Sequence, residues 1–129
     1  MAVNEILLID DNYIDNFINK IIVAKENITK NVTVMLFSLE ALDYLKNKRR
    51  GVPELIFLDI KMAEMDGFEF LDEFEKLSDE QKAKCNIIML SSSHNIQDIE
   101  TAKKNPHVLE YLIKPLDTSK LNAILKLLI

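Results

Sequence analysis

The chain has 129 residues, 48% of them hydrophobic and 29% charged, which is enough for one hydrophobic core and too little for two. Aspartate and glutamate outnumber lysine and arginine by 21 to 16, so the formal charge of −5 argues against direct binding to nucleic acid. Because the sequence has neither a signal-peptide pattern nor an apolar stretch near the roughly 20 residues that span a bilayer, we expect a single cytoplasmic domain over residues 1–129, without membrane insertion.

The first half of the chain predicts two strand–helix units. The continuous apolar run at 6–9 is too short for a helix and is typical of a buried strand, and 32–37 is a second strand-like run. After the first run, apolar residues recur at spacings of three and four, which predicts an amphipathic helix. The residues of this stripe are Tyr13, Ile14, Phe17, Ile18, Ile21 and Ile22. The second helix is expected to place Leu39, Leu42 and Leu45 on one face.

The second half of the chain predicts three more units of the same kind. Apolar runs at 55–58 and 87–90 predict the third and fourth strands, and the segment 108–113 is predicted to be the fifth. The residues expected to face inward from the third and last helices are Phe68, Leu71, Phe74, Leu77, Leu121, Ile124, Leu125 and Leu128. A weaker helical pattern covers 96–104, and the polar segment 78–84 is expected only to lengthen a connection.

Chemically active side chains follow four of the five predicted strands. Five units whose strands are continuous apolar runs predict an α/β fold with a doubly wound parallel sheet, and such folds place their sites beyond the carboxyl ends of the strands. The residues at those ends are Asp10, Asp11, Asp59, Ser91 and Lys114. Each alone is explained as a helix cap or a solvated lysine. Their coincidence at one sheet edge indicates a functional site.

The types of residue at this edge favour phosphoryl transfer. Three carboxylates in one place repel one another and raise one another's pKa unless positive charge is present. Lys114 supplies one positive charge, and a hard divalent cation such as Mg²⁺ can supply the rest. A carboxylate beside such a cation, an ammonium and a hydroxyl can act as a nucleophile toward phosphorus. Asp59 is the expected nucleophile.

Four motifs in order resemble the receiver domains of two-component response regulators, of the chemotaxis type. They are Asp10-Asp11, the segment from Asp59 to Gly67, Ser91-Ser92 and Lys114-Pro115. The resemblance covers the whole chain and implies a (βα)5 fold with the flavodoxin-like strand order 2-1-3-4-5. It also implies two helices on one face of the sheet, three on the other, and a cis bond between Lys114 and Pro115. A stand-alone receiver is expected, since the chain leaves no room for an effector domain after the last helix.

The resemblance also implies roles for individual residues. Asp59 would be the phosphoacceptor, assisted by Ser91 and Lys114, and Ser91 and Tyr111 would be switch residues. The implied ligands of Mg²⁺ (or Mn²⁺) are Asp10, Asp11, Asp59 and the backbone carbonyl of Lys61. The Lys61 ammonium is expected to modulate the lifetime of the phosphoryl group by pairing with that group or with Glu64. The alternative for Tyr111 is an ordinary edge-strand aromatic residue whose hydroxyl is in water.

The function implied is that of a phosphorylation-operated switch without turnover of a separate substrate, and therefore not an enzyme in the usual sense. A sensor histidine kinase or phosphotransfer protein would donate the phosphoryl group from a phosphohistidine. The signal would pass to a downstream protein target through the face formed by the helix at 96–104, the fifth strand and the last helix, and a homodimer through this face is also considered.

Three alternatives keep part of this pattern. A pseudo-receiver would have the same fold and act only by docking. A phosphatase of the haloacid dehalogenase type would need a second aspartate two residues after Asp59, where Lys61 stands. A flavodoxin-like flavin carrier would need a glycine- and hydroxyl-rich phosphate loop after the first strand, where Asp10 and Asp11 would repel phosphate.

Overall fold

The computed structural model describes residues 3–47 and 52–128, so residues 1, 2, 48–51 and 129 of the predicted domain lie outside the described part. Within it the strands are β1 (Ile6–Ile9), β2 (Val32–Met35), β3 (Leu55–Leu58), β4 (Asn86–Ser91) and β5 (Val108–Ile113). The helices are α1 (Tyr13–Lys25), α2 (Ser38–Asn47), α3 (Gly67–Phe74), α4 (Asp79–Ala83), α5 (Ile96–Lys104) and α6 (Thr118–Leu128). None of these helices is both long enough and apolar enough to cross a membrane.

The five strands form one parallel sheet in the order β2-β1-β3-β4-β5. This confirms the doubly wound α/β fold and the strand order 2-1-3-4-5. β1 pairs with β2 on one side and with β3 on the other, so the order reverses beside β1. Ligands of open α/β sheets bind at this kind of reversal, beyond the carboxyl ends of the strands. The fold therefore directs attention to the residues that follow β1 and β3.

Two apolar layers cover the two faces of the sheet, because alternate residues of each strand point to opposite sides. One layer joins the sheet to α2, α3 and α5 through Leu7, Ile9, Ala41, Leu42, Leu45, Ile56, Leu58, Phe70, Leu71, Phe74, Ile87, Met89 and Ala102. The other joins it to α1 and α6 through Ile6, Leu8, Val23, Leu55, Phe57, Ile88, Leu90, Leu121 and Ile124. The structure thus confirms two helices on one face and three on the other.

The short helix α4 is an addition to the predicted (βα)5 pattern. Its N-terminus has a capping box in which the Ser78 hydroxyl accepts a hydrogen bond from the backbone N–H of Gln81, and the Gln81 side chain accepts one from the N–H of Ser78, both at 3.2 Å. The Gln81 amide also donates to the carbonyl of Leu45, which ties α4 to α2. Since α4 buries no residue, apolar periodicity gives no sign of it. The spacing Ser-x-x-Gln is the sequence signal that predicts such a helix start.

Helix α1 turns its apolar stripe, except for the partly buried Ile22, away from the sheet, contrary to the usual orientation of an amphipathic helix. Between 45% and 70% of the surface of Tyr13, Ile14, Phe17, Ile18 and Ile21 is exposed. The buried residues of α1 are Asn16, Asn19 and Val23. Asn16 explains the orientation, because its amide donates to the carbonyls of Asp10 at 2.6 Å and Met35 at 3.2 Å. In α2, Leu39 is likewise exposed, whereas Leu42 and Leu45 are buried as predicted.

Candidate functional site

Three aspartates meet where β1 and β3 end. Asp10 and Asp11 follow β1, Asp59 follows β3, and one carboxylate oxygen from each lies within 4.8 Å of the other two. Asp10 and Asp59 are buried, with 3% and 8% of their surface exposed, and Asp11 is exposed. The sequence predicted that these residues share one edge of the sheet, and the structure places them together there.

Backbone hydrogen bonds fix the two buried aspartates beside each other. The N–H of Asp10 donates to the carbonyl of Met35 at 3.2 Å, and that of Asp59 donates to the carbonyl of Ile9 at 3.0 Å. The parallel ladders thus continue one residue past each strand. The Asp59 carboxylate accepts a hydrogen bond from the N–H of Ile60 at 2.9 Å, which orients one of its oxygens.

The loop between β3 and α3 folds tightly behind Asp59. The N–H of Gly67 donates to the carbonyl of Ile60 at 2.7 Å, so the two ends of the loop touch. A Cβ atom at Gly67 would lie 2.5 Å from the backbone oxygen of Asp59, closer than any side chain tolerates. From the solvent side, the Asp11 carboxylate accepts a hydrogen bond from the N–H of Ala63 at 3.2 Å. Glycine at position 67 is therefore a condition for the present placement of the Asp59 backbone.

Lys114 joins the cluster from β5. Its ammonium nitrogen lies 2.7 Å from Asp10 Oδ2, 2.8 Å from Asp15 Oδ2 and 3.5 Å from Asp59 Oδ2. The N–H of Lys114 donates to the carbonyl of Ser91 at 2.9 Å, and the bond to Pro115 is cis, as the resemblance implies. Sequence reasoning missed Asp15. No local sequence pattern could have found this contact, because Asp15 and Lys114 are 99 positions apart.

The electrostatic environment opposes charge on Asp59 and favours it on Lys114. Burial and the neighbouring charge of Asp10 raise the pKa of Asp59 to about 6, against the opposing effects of Lys114 and the Ile60 N–H. For Lys114, burial acts to lower the pKa, but the carboxylates of Asp10, Asp15 and Asp59 outweigh it and raise the pKa. At neutral pH the site therefore holds more negative charge than one lysine balances.

The raised pKa of Asp59 predicts that the contribution of this residue to the free energy of unfolding falls as the pH rises. The folded state binds more protons than the unfolded state between the ordinary pKa of 3.8 and the folded value of about 6, so stability is lost across that interval. In EDTA, the free energy of unfolding of Asp59→Asn is expected to exceed that of wild type by up to about 3 kcal/mol at pH 7.5, with a smaller difference at pH 4.5. Urea unfolding of both proteins across this range measures the difference, and a difference independent of pH would contradict the prediction.

Ser91 and Tyr111 are connected through Ser93. The Ser91 hydroxyl, at the end of β4, accepts a hydrogen bond from the N–H of Ser93 at 3.1 Å, and the Tyr111 hydroxyl donates to the carbonyl of Ser93 at 2.9 Å. Ser93 also donates its hydroxyl to Asp98 on α5 at 2.7 Å. Only 8% of Tyr111 is exposed, so the alternative that places its hydroxyl in water is wrong. Sequence reasoning missed Ser93, since a serine in a loop carries no distinctive pattern.

Lys61 lies outside this buried group. It is exposed and lines an open cleft of about 550 Å³ together with Asp11, Met62, Ala63 and Asp98, among others. Within residues 3–47 and 52–128, no carboxylate, including that of Glu64, forms an ion pair with the Lys61 ammonium. The cleft gives solvent a path to Asp11, the exposed member of the three aspartates.

The donor set fits a hard divalent cation. Three carboxylates supply oxygen atoms, which are the ligands that Mg²⁺ and Mn²⁺ prefer, and the exposed Asp11 leaves one side of the cluster open for water ligands. The raised pKa of Asp59 points the same way, because added positive charge would oppose the effects of burial and of the Asp10 charge that raise it. The acidic cluster of Asp10, Asp11 and Asp59 is thus compatible with a metal site.

The chain is similar in sequence and in structure to known proteins of one family. The family model described as the response regulator receiver domain matches residues 6–126. An uncharacterized response regulatory protein of Staphylococcus epidermidis is 32% identical over 97 residues, which cover 75% of this chain and 36% of that protein. The chain thus spans about a third of the length of this curated relative.

Solved structures of receivers have the same fold. A response regulator receiver protein from Dyadobacter fermentans is 32% identical, with a TM-score of 0.86 and coverage of 95% of this chain and 94% of that one. The receiver domain of a sensor histidine kinase from Pseudomonas aeruginosa, solved with a magnesium ion in its active-site cleft, is 22% identical, with a TM-score of 0.78 and coverage of 95% and 94%. From these matches and the fold, the chain belongs to the response regulator receiver domain family.

Proposed function

We propose that this receiver is the phosphoacceptor switch of a two-component phosphorelay and that Asp59 receives the phosphoryl group. The observation that carries the proposal is the position of the Asp59 carboxylate, which lies beside two other carboxylates and 3.5 Å from the Lys114 ammonium. Its side chain is 10% exposed, so it is accessible at one edge while most of it is shielded from water. The donor would be the phosphohistidine of a sensor histidine kinase or phosphotransfer protein.

The proposed transfer is an in-line displacement at phosphorus. An oxygen of the Asp59 carboxylate attacks the phosphorus, the bond from phosphorus to the donor's imidazole nitrogen breaks, and that nitrogen keeps the electron pair. Water later attacks the phosphorus, the bond to the Asp59 oxygen breaks, and the carboxylate and inorganic phosphate are released. The chain would therefore itself be the phosphoryl acceptor, without turnover of a separate substrate.

The surrounding residues would stabilise charge during these steps. The Lys114 ammonium can pair with a phosphoryl oxygen, and the Ser91 hydroxyl can donate a hydrogen bond to another. Asp10, Asp11, Asp59 and the backbone carbonyl of Lys61 would hold Mg²⁺ or Mn²⁺. When bound, the cation would neutralise negative charge on the transferring group.

The proposed output surface is the face formed by α5, β5 and α6. Ser93 donates its N–H to Ser91 and its hydroxyl to Asp98, and its carbonyl accepts from the Tyr111 hydroxyl, so these hydrogen bonds connect the phosphorylation edge with β5 and α5. If the Ser91 hydroxyl turns toward a phosphoryl group, it gives up its bond with Ser93, and the loop that anchors Tyr111 is released to shift. A downstream protein target, or a second copy of the chain, would distinguish the two states by this face.

The test is incubation with acetyl phosphate, which serves as a small-molecule donor, followed by intact-mass measurement. We expect one phosphoryl group per chain in the presence of Mg²⁺ and none in EDTA. No adduct under either condition would favour a pseudo-receiver that acts only by docking. Continuous hydrolysis of added phosphate esters would favour a phosphatase, and bound flavin absorbance would favour a flavin carrier.

Removal of the Lys61 side chain tests its proposed modulating role. In the exposed cleft, the ammonium of Lys61 is free of ion pairs with the described residues and can pair with a phosphoryl group on Asp59. Lys61→Ala is expected to speed loss of the phosphoryl group about two- to fivefold, as for an exposed ion pair. Intact mass followed over time after removal of the donor measures the rate. Lys30→Ala, which removes an exposed lysine after α1, is the matched control, and an unchanged rate for Lys61→Ala would discard the proposed role.

A further inference from the structure

The Lys114 ammonium has two close carboxylate partners, and Asp59 is not one of them. Asp10 Oδ2 lies at 2.7 Å and Asp15 Oδ2 at 2.8 Å, whereas Asp59 Oδ2 lies at 3.5 Å. The first two distances are those of charge-assisted hydrogen bonds, and the third is a looser ion pair. In this state, two of the three N–H groups of the ammonium are used by carboxylates other than that of the proposed phosphoacceptor.

The start of α1 explains why Asp15 is available to Lys114. Asn12 is the N-cap residue, and Asp15 is at the third helical position, where a carboxylate often bonds the N-cap backbone N–H. Here the Asp10 carboxylate accepts that hydrogen bond, from the N–H of Asn12 at 2.9 Å. The N–H of Asp15 donates to the Asn12 side chain at 3.1 Å, which holds Asp15 in place. The Asp15 carboxylate is thereby left to bind Lys114.

The two close partners of Lys114 differ in how easily they can be released. The side chain of Asp10 is 4% exposed, so it needs the ammonium to balance a buried charge. The side chain of Asp15 is 36% exposed, and water can replace the lysine there. A phosphoryl group on Asp59 would offer additional negative charge and strong acceptor oxygens. Asp15 is therefore the partner that Lys114 would exchange for a phosphoryl oxygen.

We propose that Asp15 is a positioning residue that retains Lys114 on the α1 side of the site and competes with a phosphoryl group on Asp59 for its ammonium. This inference rests on the proposed function and extends it to the residue that sets the balance between the two states of Lys114. Removal of the Asp15 charge releases the lysine and favours the phosphorylated form.

The test uses the complex of beryllium with fluoride, a noncovalent mimic of an aspartyl phosphate, at a fixed saturating concentration of Mg²⁺. Asp15→Asn is expected to lower the Kd for this complex about two- to fivefold, the range for a partly exposed ion pair. Asp15→Glu keeps the negative charge and should have the same Kd as wild type. Asp43→Asn, which removes an exposed carboxylate on α2, is the control for net charge and should leave the Kd unchanged.

A double-mutant cycle separates competition for Lys114 from direct repulsion by the Asp15 charge. If Asp15 acts through the lysine, Asp15→Asn leaves the Kd unchanged in the Lys114→Gln background. If Asp15→Asn lowers the Kd equally in that background, or does not lower it when Lys114 is present, the inference is overturned. If wild type fails to bind the complex at all, the proposed function fails instead, so the two failures are distinguishable.

Discussion

Asp59→Asn is expected to abolish the phosphorylated species formed with acetyl phosphate and Mg²⁺. The substitution preserves the shape of the side chain and the contact with the Ile60 N–H, but it replaces the charged nucleophile with a neutral amide. It also removes one of the three carboxylates that would hold the cation. Intact-mass measurement should show only unmodified protein over a period in which wild type is converted.

A matched control distinguishes the loss of the acceptor from a general effect of charge. Asp72 is an exposed carboxylate on α3, and it lines a groove formed with α5 rather than the site. Asp72→Asn should form the adduct at the wild-type rate. If Asp59→Asn still acquires a phosphoryl group under the same conditions, another residue is the acceptor and the proposed mechanism is wrong.

Gly67→Ala is expected to lower the free energy of unfolding by about 1 to 3 kcal/mol or more. The added Cβ would lie 2.5 Å from the backbone oxygen of Asp59 and 2.9 Å from the Cα atom of Ile60. Backbone atoms cannot rotate aside as a flexible side chain can, so the loop after β3 must move. Because that loop begins at Asp59, we expect slower phosphorylation as well as lower stability.

Urea unfolding and the rate of adduct formation measure the two effects of Gly67→Ala. Glu64→Ala is the control, since it changes an exposed residue of the same loop and is expected to alter stability by less than about 0.5 kcal/mol. An unchanged unfolding midpoint for Gly67→Ala would show that the loop can shift without cost and would contradict the prediction.

The strands were predictable because burial on both faces leaves a simple signal. The apolar runs at 6–9 and 55–58 coincide with β1 and β3, in which every residue is buried. Once their parallel arrangement is inferred, the rule for strand ends gathers the aspartates and Lys114 at one edge. This reasoning needs only the length and polarity of each run. Because the residues of β2 are only half-buried, this signal is weaker there, and β2 was predicted two residues too long.

The orientation of α1 and the contacts of Asp15 were not predictable in the same way. Helical periodicity shows that a helix has one apolar and one polar face. It does not show which face meets the sheet when polar side chains can donate hydrogen bonds to backbone carbonyls at the strand ends. Asn16 decides the orientation through two hydrogen bonds that depend on where the neighbouring strands end. The pairing of Lys114 with Asp15 joins residues 99 positions apart, and no local pattern encodes it.

The anchoring of α1 by Asn16 has a consequence for the precision of the site. An apolar helix face can shift along an apolar surface by a fraction of a turn with little loss of stability, because the hydrophobic effect is non-directional. Hydrogen bonds to two particular carbonyl oxygens have strict angular requirements, and a displacement of one residue would forfeit both. The amide of Asn16 thus fixes the register of the helix against the sheet, and with it the position of Asp15, the carboxylate on the first turn of the helix.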